Sequence, residues 1–366
     1  MWLPWMEFAA VLTVATLLTI PMGQWLARCF TSAHHSWLER ATYGALGVNP
    51  AERMGWQRYA SALVLSNAAM LLRMTRPAFL SLTAAACLLG MSFAWACGCG
   101  FDALKAAATL VLALVAHAGA NVLNDYHDAR SGADAANTQA LAPFTGGARL
   151  IQNHLVSEAD TRRWAIVLLL LLVPAGLLLA LYSGGGLLLI GAAGLLLAWA
   201  YSAPPLALMA RGLGELAVAL AWWLVVLGAD YVQRRGFFLI PALTALSFAV
   251  LAANILLING FPDAPADAQV GKRTLVVRLG ARAAAALYLV LALLAHAWLV
   301  AMVQMDIAPA RALWGVASAP LALAAAALLW RHAHAPQRLR PAIALTIAAA
   351  IVHALAMAAG LATLPR

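Results

Sequence analysis

A chain of 366 residues that is 64% hydrophobic and only 10% charged is no water-soluble globule around one core; its length and composition are those of a polytopic membrane protein. The ten-residue alternation of an outer-membrane barrel does not occur, so the spans are helices. The net charge of +9 is scattered over helix ends and forms no basic patch with interleaved aromatics, which argues against a nucleic-acid partner and for membrane topology plus an anionic substrate.

Residues 6–27 read as a first span, broken near its end by Pro21, and Arg28 to Arg58 as a polar connector. Glu7 and the lack of a basic start speak against a cleavable signal peptide. Residues 59–72 are apolar but too short to cross, and with Arg73 and Arg76-Pro77 behind them they suit a helix lying at the interface. Nine candidate spans follow, at about 78–97, 103–123, 163–182, 185–203, 214–232, 237–258, 283–304, 313–331 and 341–362. Cys29, Cys87, Cys97 and Cys99 have no zinc-like spacing and set no disulfide framework.

Two stretches stand out in a chain poor in acids. Asn121-Val-Leu-Asn-Asp-Tyr-His-Asp-Ala-Arg-Ser-Gly-Ala-Asp134 follows the second of the nine spans, and Asn259-Gly-Phe-Pro-Asp263-Ala-Pro-Ala-Asp267 with Gly271-Lys-Arg-Thr274 follows the sixth. Each opens on Asn-x-x-x-Asp after an apolar helix and adds a further Asp about one helical turn on. One such cluster is as readily a solvated helix end; its repetition favours a site. Carboxylates and Asn without His or Cys supply the hard oxygen ligands of Mg²⁺, which is commonly held by one or two carboxylates plus substrate phosphates. A diphosphate bridged to protein through metal is the expectation.

Both stretches follow even-numbered spans and share one face of the membrane, where Arg130, Arg149, Arg162, Arg163, Arg211, Lys272 and Arg273 also fall; the positive-inside rule makes that face cytoplasmic. Its loops are the long ones, 125–162 and 259–282. Pro143-Phe-Thr-Gly-Gly147, then Arg149 and Gln152, reads either as a turn into a short anion-facing helix or as a plain turn. Glu215 is placed equally at a site or at a helix start, Asp230 at a solvated boundary, and His117 as a hydrogen-bonded core histidine. His127 is a proton carrier or an exposed loop residue, and Trp222 and Trp223 are lipid-facing by default.

Three pieces, Asn124-Asp-Tyr-His-Asp-Ala-Arg-Ser-Gly-Ala-Asp134, Tyr201-Ser-Ala-Pro-Pro-Leu206 with Arg211-Gly-Leu-Gly-Glu215, and Asp263-x-x-x-Asp267-x-x-x-Gly-Lys-Arg-Thr, resemble the UbiA superfamily of intramembrane prenyltransferases, closest to its 1,4-dihydroxy-2-naphthoate polyprenyltransferase branch. The resemblance covers roughly residues 70–362. It implies an all-α bundle, here a nine-span prenyltransferase core at 70–366 with one additional N-terminal span, catalysing Mg²⁺-dependent prenyl transfer from a polyprenyl diphosphate to an aromatic acceptor. A role in menaquinone or other quinone biosynthesis at a bacterial inner membrane, with membrane lipid but no obligate protein partner, follows. Carried over by position, Asp125, Asp128, Asp134, Asp263 and Asp267 hold the metals, and Tyr201 joins Asp125, Asp128, Asp263 and Asp267 as catalytic. Asn121, Asn124, Arg149, Arg211, Lys272 and Arg273 contact substrate.

Two positions depart from the pattern. Pro262 precedes Asp263 where the branch tends to have a basic residue, and no Lys follows Tyr201 at the Tyr-x-x-x-Lys spacing. Residues 5–68, including Leu38-Glu-Arg-Ala-Thr-Tyr-Gly-Ala-Leu-Gly-Val-Asn-Pro50, resemble the N-terminal part of the potassium-transporting ATPase A subunit but end before that family's selectivity filters. They are read as a fused fragment within residues 1–69 and not as evidence of potassium transport. Two other readings stay open: a transporter, which would place ionisable residues near mid-membrane on broken helices, and a non-catalytic membrane subunit, which would not need both Asp motifs.

Overall fold

The computed structural model describes residues 55–364, and among these every regular element is helical. In chain order they are α1 (Trp56–Met74), α2 (Pro77–Ala96), α3 (Ala103–Ser131), the single turn α4 (Ala133–Ala136), α5 (Glu158–Ser183), α6 (Gly186–Ser202), α7 (Gly214–Arg234), α8 (Leu239–Gln269), α9 (Leu275–Gln304), α10 (Ala319–His332) and α11 (Arg340–Ala362). Short 3₁₀ turns at Leu208–Arg211, Ala310–Ser318 and Pro336–Arg338 join them. The chain divides into two compact units between Ser66 and Asn67, and α2 to α11 belong to the second. The expected N-terminal span and its connector lie outside the described residues.

Among the described residues eight helical segments, with Ala310–His332 counted as one, are long and apolar enough to cross a membrane. The ninth expected span is α6, whose 17 residues fall just under the length of the rest. Local chemistry sets several boundaries. The Asp102 carboxylate accepts from the Leu104 and Lys105 amides at 3.0 Å and starts α3, and the Ser157 hydroxyl accepts from the Asp160 amide at 3.0 Å and starts α5. Gly132, at φ 79°, ends α3.

Two helices run further than the sequence suggests. α3 continues to Ser131 and α8 to Gln269, so the stretches read as loops at 125–131 and 259–269 are helical. Pro262 and Pro265 each remove a backbone donor and would be expected to stop α8. Burial of Phe261, Pro262, Ala266 and Asp267 anchors the last turns, and packing overrides propensity there.

α2 and α8 are the most enclosed helices, each with 61% of its apolar stretch buried. Leu89 of α2, Phe248 of α8, Leu299 of α9 and Met357 of α11 meet in one core. Leu257, Tyr288, Leu329 and Ile343 form a second core nearer the motif end of α8. Val122 and Leu168 hold α3 against α5.

Asp230 differs from its expected solvated position. It is 2% exposed and takes a two-pronged bond from Arg234, 2.7 and 2.6 Å long, under a guanidinium that stacks 3.8 Å from the Phe238 ring. The i, i+4 spacing on α7 allows the pair to close within one helix. Cys97 and Cys99 are joined across the turn between α2 and α3, a local link that the sequence gives no reason to expect, while Cys87 is buried and free.

Candidate active site

The helical continuation of α3 and α8 places their carboxylates. Asp125 and Asp128 lie on the last turns of α3, Asp134 on α4, and Asp263 and Asp267 one turn apart at the end of α8. The two motifs are far apart in the chain, but contacts between residues 126 and 144 positions apart join them. Lys272 forms ion pairs with Asp128 and, at 3.7 Å, with Asp267. Asn137, just after α4, donates to Asp263 at 2.6 Å. Asn124 donates to Asp128 at 3.0 Å, fixing that carboxylate from within its own helix.

Arg76 enters this cluster without having been singled out as a site residue. It pairs with Asp125, and the Asp125 carboxylate also accepts from the Ala148 amide at 3.1 Å. Burial works against the Arg76 charge, but Asp125, Asp134 and Asp128 outweigh it and hold the guanidinium firmly protonated. The same balance applies to Lys272, which burial would neutralise and which Asp128 and Asp267 keep charged. Burial, followed by the Asp128 and Asp125 charges, pushes Asp134 up to about 7, against the pull of Arg76 and Lys272. Asp134 is thus far easier to protonate than a free carboxylate.

The Gly-Gly turn completes the cradle. A Cβ built on Gly147 would sit 2.9 Å from an Asp125 oxygen, 3.0 Å from an Asp134 oxygen and 3.1 Å from the Arg76 guanidinium. With φ at 70° as well, this position admits little but glycine. Arg149 forms no ion pair with the carboxylates among the described residues; it donates to the carbonyls of Asn137, at 3.1 Å, and Asp134, at 3.4 Å. It therefore ties the turn to α4. Arg211 is likewise taken by the Pro205 carbonyl at 2.6 Å. The amide of Arg273, itself exposed, bonds the Ala210 carbonyl at 2.9 Å and docks the loop after α8 onto the one after α6.

Beneath the carboxylates a cavity of about 670 Å³ extends along α3, α5, α6 and α7. Its polar end carries Arg76, Asn121, Asn124, Tyr201 and Asn259, and the rest of its wall is overwhelmingly apolar. Asn121 is oriented by donating to the Thr75 carbonyl at 3.0 Å. The Asn259 side-chain oxygen is buried without a partner. His117 is hydrogen-bonded as expected, 2.8 Å from the Thr83 hydroxyl, but it also lines the cavity, edge-on to Trp222 at 4.9 Å. Trp222 is therefore a wall residue and not simply lipid-facing. Glu215 is buried in the first turn of α7.

No group of three or more acidic, His or Cys side chains converges to metal-ligand geometry among the described residues. The donor set nonetheless suits Mg²⁺. Five carboxylates and an unpartnered Asn259 oxygen are hard ligands, and an ion that keeps several waters and shares phosphate oxygens needs only one or two carboxylates from each side. Arg76 and Asn137 do not stand out as site residues in the sequence, and Gly147 does so only as part of the turn at 143–147. The signal for Arg76 was Arg-Pro opening a span; the other two act only once the loop has folded.

Residues 82–348 match the UbiA prenyltransferase family, and residues 9–140 match the potassium-transporting ATPase A subunit. The 1,4-dihydroxy-2-naphthoate octaprenyltransferase of Escherichia coli is 33% identical over 214 residues, 56% of this chain and 67% of that protein. The potassium-transporting ATPase potassium-binding subunit of Delftia acidovorans is 72% identical over 72 residues, which cover 20% of this chain but only 13% of that protein. Among solved structures, a UbiA homolog from Archaeoglobus fulgidus bound to Cd²⁺ superposes with a TM-score of 0.51 at 19% identity, over 80% of this chain and 98% of that one. With eight helical segments among the described residues able to span a bilayer and a family match over most of its length, the chain is an integral membrane protein that belongs to the UbiA prenyltransferase family.

Proposed function

We propose that this protein transfers a prenyl group from a polyprenyl diphosphate to an aromatic acceptor within the membrane, with Mg²⁺, at the cytoplasmic face. The observation that carries the reading is the meeting of the two Asp motifs, bridged by Lys272, at the polar end of a long apolar cavity. That pairing of charge and grease matches a donor with a diphosphate head and a hydrocarbon tail. The identity to the Escherichia coli octaprenyltransferase supports a dihydroxynaphthoate as acceptor and a step of menaquinone formation.

Asp125, Asp128, Asp134, Asp263 and Asp267 are the residues that would hold Mg²⁺, which when bound neutralises diphosphate charge as the allylic C–O bond breaks. Lys272, Arg76 and Arg273 add fixed positive charge toward the departing diphosphate. Asn121 and Asn124 orient the head group, and Arg149 and Arg211 shape the loops around it. The allylic cation left behind sits against the Tyr201 ring and the apolar wall, from which water, its competing nucleophile, is excluded. Residues 1–69 are taken as a fused segment outside this prenyltransferase domain, in keeping with the division between Ser66 and Asn67.

The test is turnover of a labelled prenyl diphosphate by the purified full chain, with dihydroxynaphthoate among a panel of aromatic acceptors and the lipid product identified. Product formation that stops with chelator and returns with Mg²⁺ is expected. Full turnover in excess chelator, or no product with any acceptor, overturns the reading.

A further inference from the structure

Glycines in this bundle commonly sit where helices touch. A Cβ on Gly90 would run into the Val226 carbonyl, and one on Gly360 into the Arg311 carbonyl. Gly176 on α5 and Gly191 and Gly194 on α6 differ, because a Cβ built on any of them meets nothing within 4 Å. None of the three has positive φ. Neither packing nor backbone conformation explains a residue that weakens a helix interior. All three line the cavity, so what they supply is width.

Their placement on α6 is regular. Leu188, Ile190, Leu195 and Leu197 line the cavity too, but Leu187, Gly191, Gly194, Ala198 and Tyr201 follow one another at steps of four, three, four and three residues, so the two glycines stand in line with Tyr201 on one helix face. Tyr201 marks the polar end. Gly194 lies about 10 Å below it along the axis and Gly191 about 15 Å. The wall also includes Asn259 and Trp222, whose side-chain oxygen and indole nitrogen are buried without partners.

We propose that Gly194 and Gly191 gauge the length of the donor's hydrocarbon tail, an inference that rests on the prenyl-transfer reading above. An extended isoprene unit advances roughly one helical turn, about 5 Å, so a tail anchored by its diphosphate at the Asp cluster passes Gly194 near its second unit and Gly191 near its third. At each level the missing side chain is the room through which the tail continues. Gly176 widens the wall contributed by α5 in the same way.

The experiment compares turnover of dimethylallyl, geranyl, farnesyl and geranylgeranyl diphosphates, with one aromatic acceptor, by the full chain and by its Gly194→Leu and Gly191→Leu variants. The readout is the ratio of long-donor to dimethylallyl turnover. Gly194→Leu should lower that ratio about tenfold or more from farnesyl diphosphate onward, and Gly191→Leu only from geranylgeranyl diphosphate onward. Gly194→Ala and Gly191→Ala should give smaller losses in the same order, which covers a leucine variant that does not insert. Turnover with an unchanged length ratio, or one lowered equally for every donor, overturns the gauge and leaves prenyl transfer standing. A wild-type chain that uses no prenyl diphosphate overturns both.

Discussion

α2 and α5 invert the pattern of a water-soluble protein. α5 is the most apolar of the candidate spans and the least enclosed, with 22% of its apolar stretch buried, whereas α2 is among the less apolar and is 61% buried. The buried side chains of α2 include Ala85, Ala86, Cys87, Gly90, Ser92 and Ala94, while α5 turns Leu170, Leu171, Leu178 and Leu181 outward. In lipid there is no hydrophobic force to bring two leucine faces together, so close contact between helices falls to small residues and van der Waals fit. Outward leucines mark lipid, and small residues mark contact. The cavity lies on the loosely enclosed α5 and α6 side, where side chains that would otherwise close the space are missing.

The largest effects should come from testing that division by deletion. Phe248, fully buried on α8, should cost about 3–5 kcal/mol when changed to Ala, because the void left among α2, α9 and α11 cannot collapse. Leu181→Ala, at a position 83% exposed, should leave unfolding in detergent nearly unchanged. Equal losses at the two positions would mean that α5 is packed as tightly as the core around Phe248. The charged pairs divide in the same way. Asp230→Ala strands a buried Arg234 guanidinium and should destabilise by about 3 kcal/mol, while Asp160→Ala, in a pair with 75% and 60% exposed partners, should not move the melting temperature. A double variant, Asp230→Ala with Arg234→Met, should recover most of the first loss; if it does not, the buried pair is not its source.

Much of this architecture is legible in the sequence because lipid imposes a simple grammar of apolar runs of fixed length with charges at their ends. The Asp motifs are legible because they repeat. The places where reading fails share a cause. Pro262 and Pro265 look like helix stops, and only the burial around Phe261 and Ala266 keeps α8 helical. Arg76 reads as an anchor at a membrane edge, since its partner Asp125 is 49 residues away and nothing local points to it. Arg149 looks like an anion ligand because it is basic and near a Gly-Gly turn, and spacing gives no hint that one of its guanidinium nitrogens donates to the carbonyls of Asp134 and Asn137. Long-range pairing of charge is invisible to spacing.

The site should respond more in activity than in stability. Asp125→Asn and Asp263→Asn preserve size and part of the hydrogen bonding, so the fold should persist, yet turnover should drop by on the order of 10² or more, as for loss of a main electrostatic stabiliser. Asp160→Asn is the control on the same side of the bundle and should stay near wild type. Since Asp263 is held by Asn137 at 2.6 Å, Asn137→Ala should produce a smaller loss of the same kind. If Asp125→Asn and Asp263→Asn turn over like Asp160→Asn, the carboxylates are structural and the diphosphate does not bind between them.

The smallest expected effect gives the finest comparison, because it uses one substitution in both regions. Gly90→Ala forces a methyl toward the Val226 carbonyl and the Ala229 side chain, and since backbone cannot yield as a flexible side chain does, α2 and α7 must part. A cost of about 1–3 kcal/mol is expected, the range of overpacking in a filled core. Gly194→Ala meets nothing within 4 Å, so no neighbour resists it, and the helix gains the conformational restraint that glycine lacks. Stability should rise by about 0.5–1 kcal/mol. Thermal unfolding of the two variants in one detergent should therefore move in opposite directions from wild type. A loss at Gly194 comparable to that at Gly90 would mean that α6 packs against its neighbours more tightly than the open wall of the cavity allows.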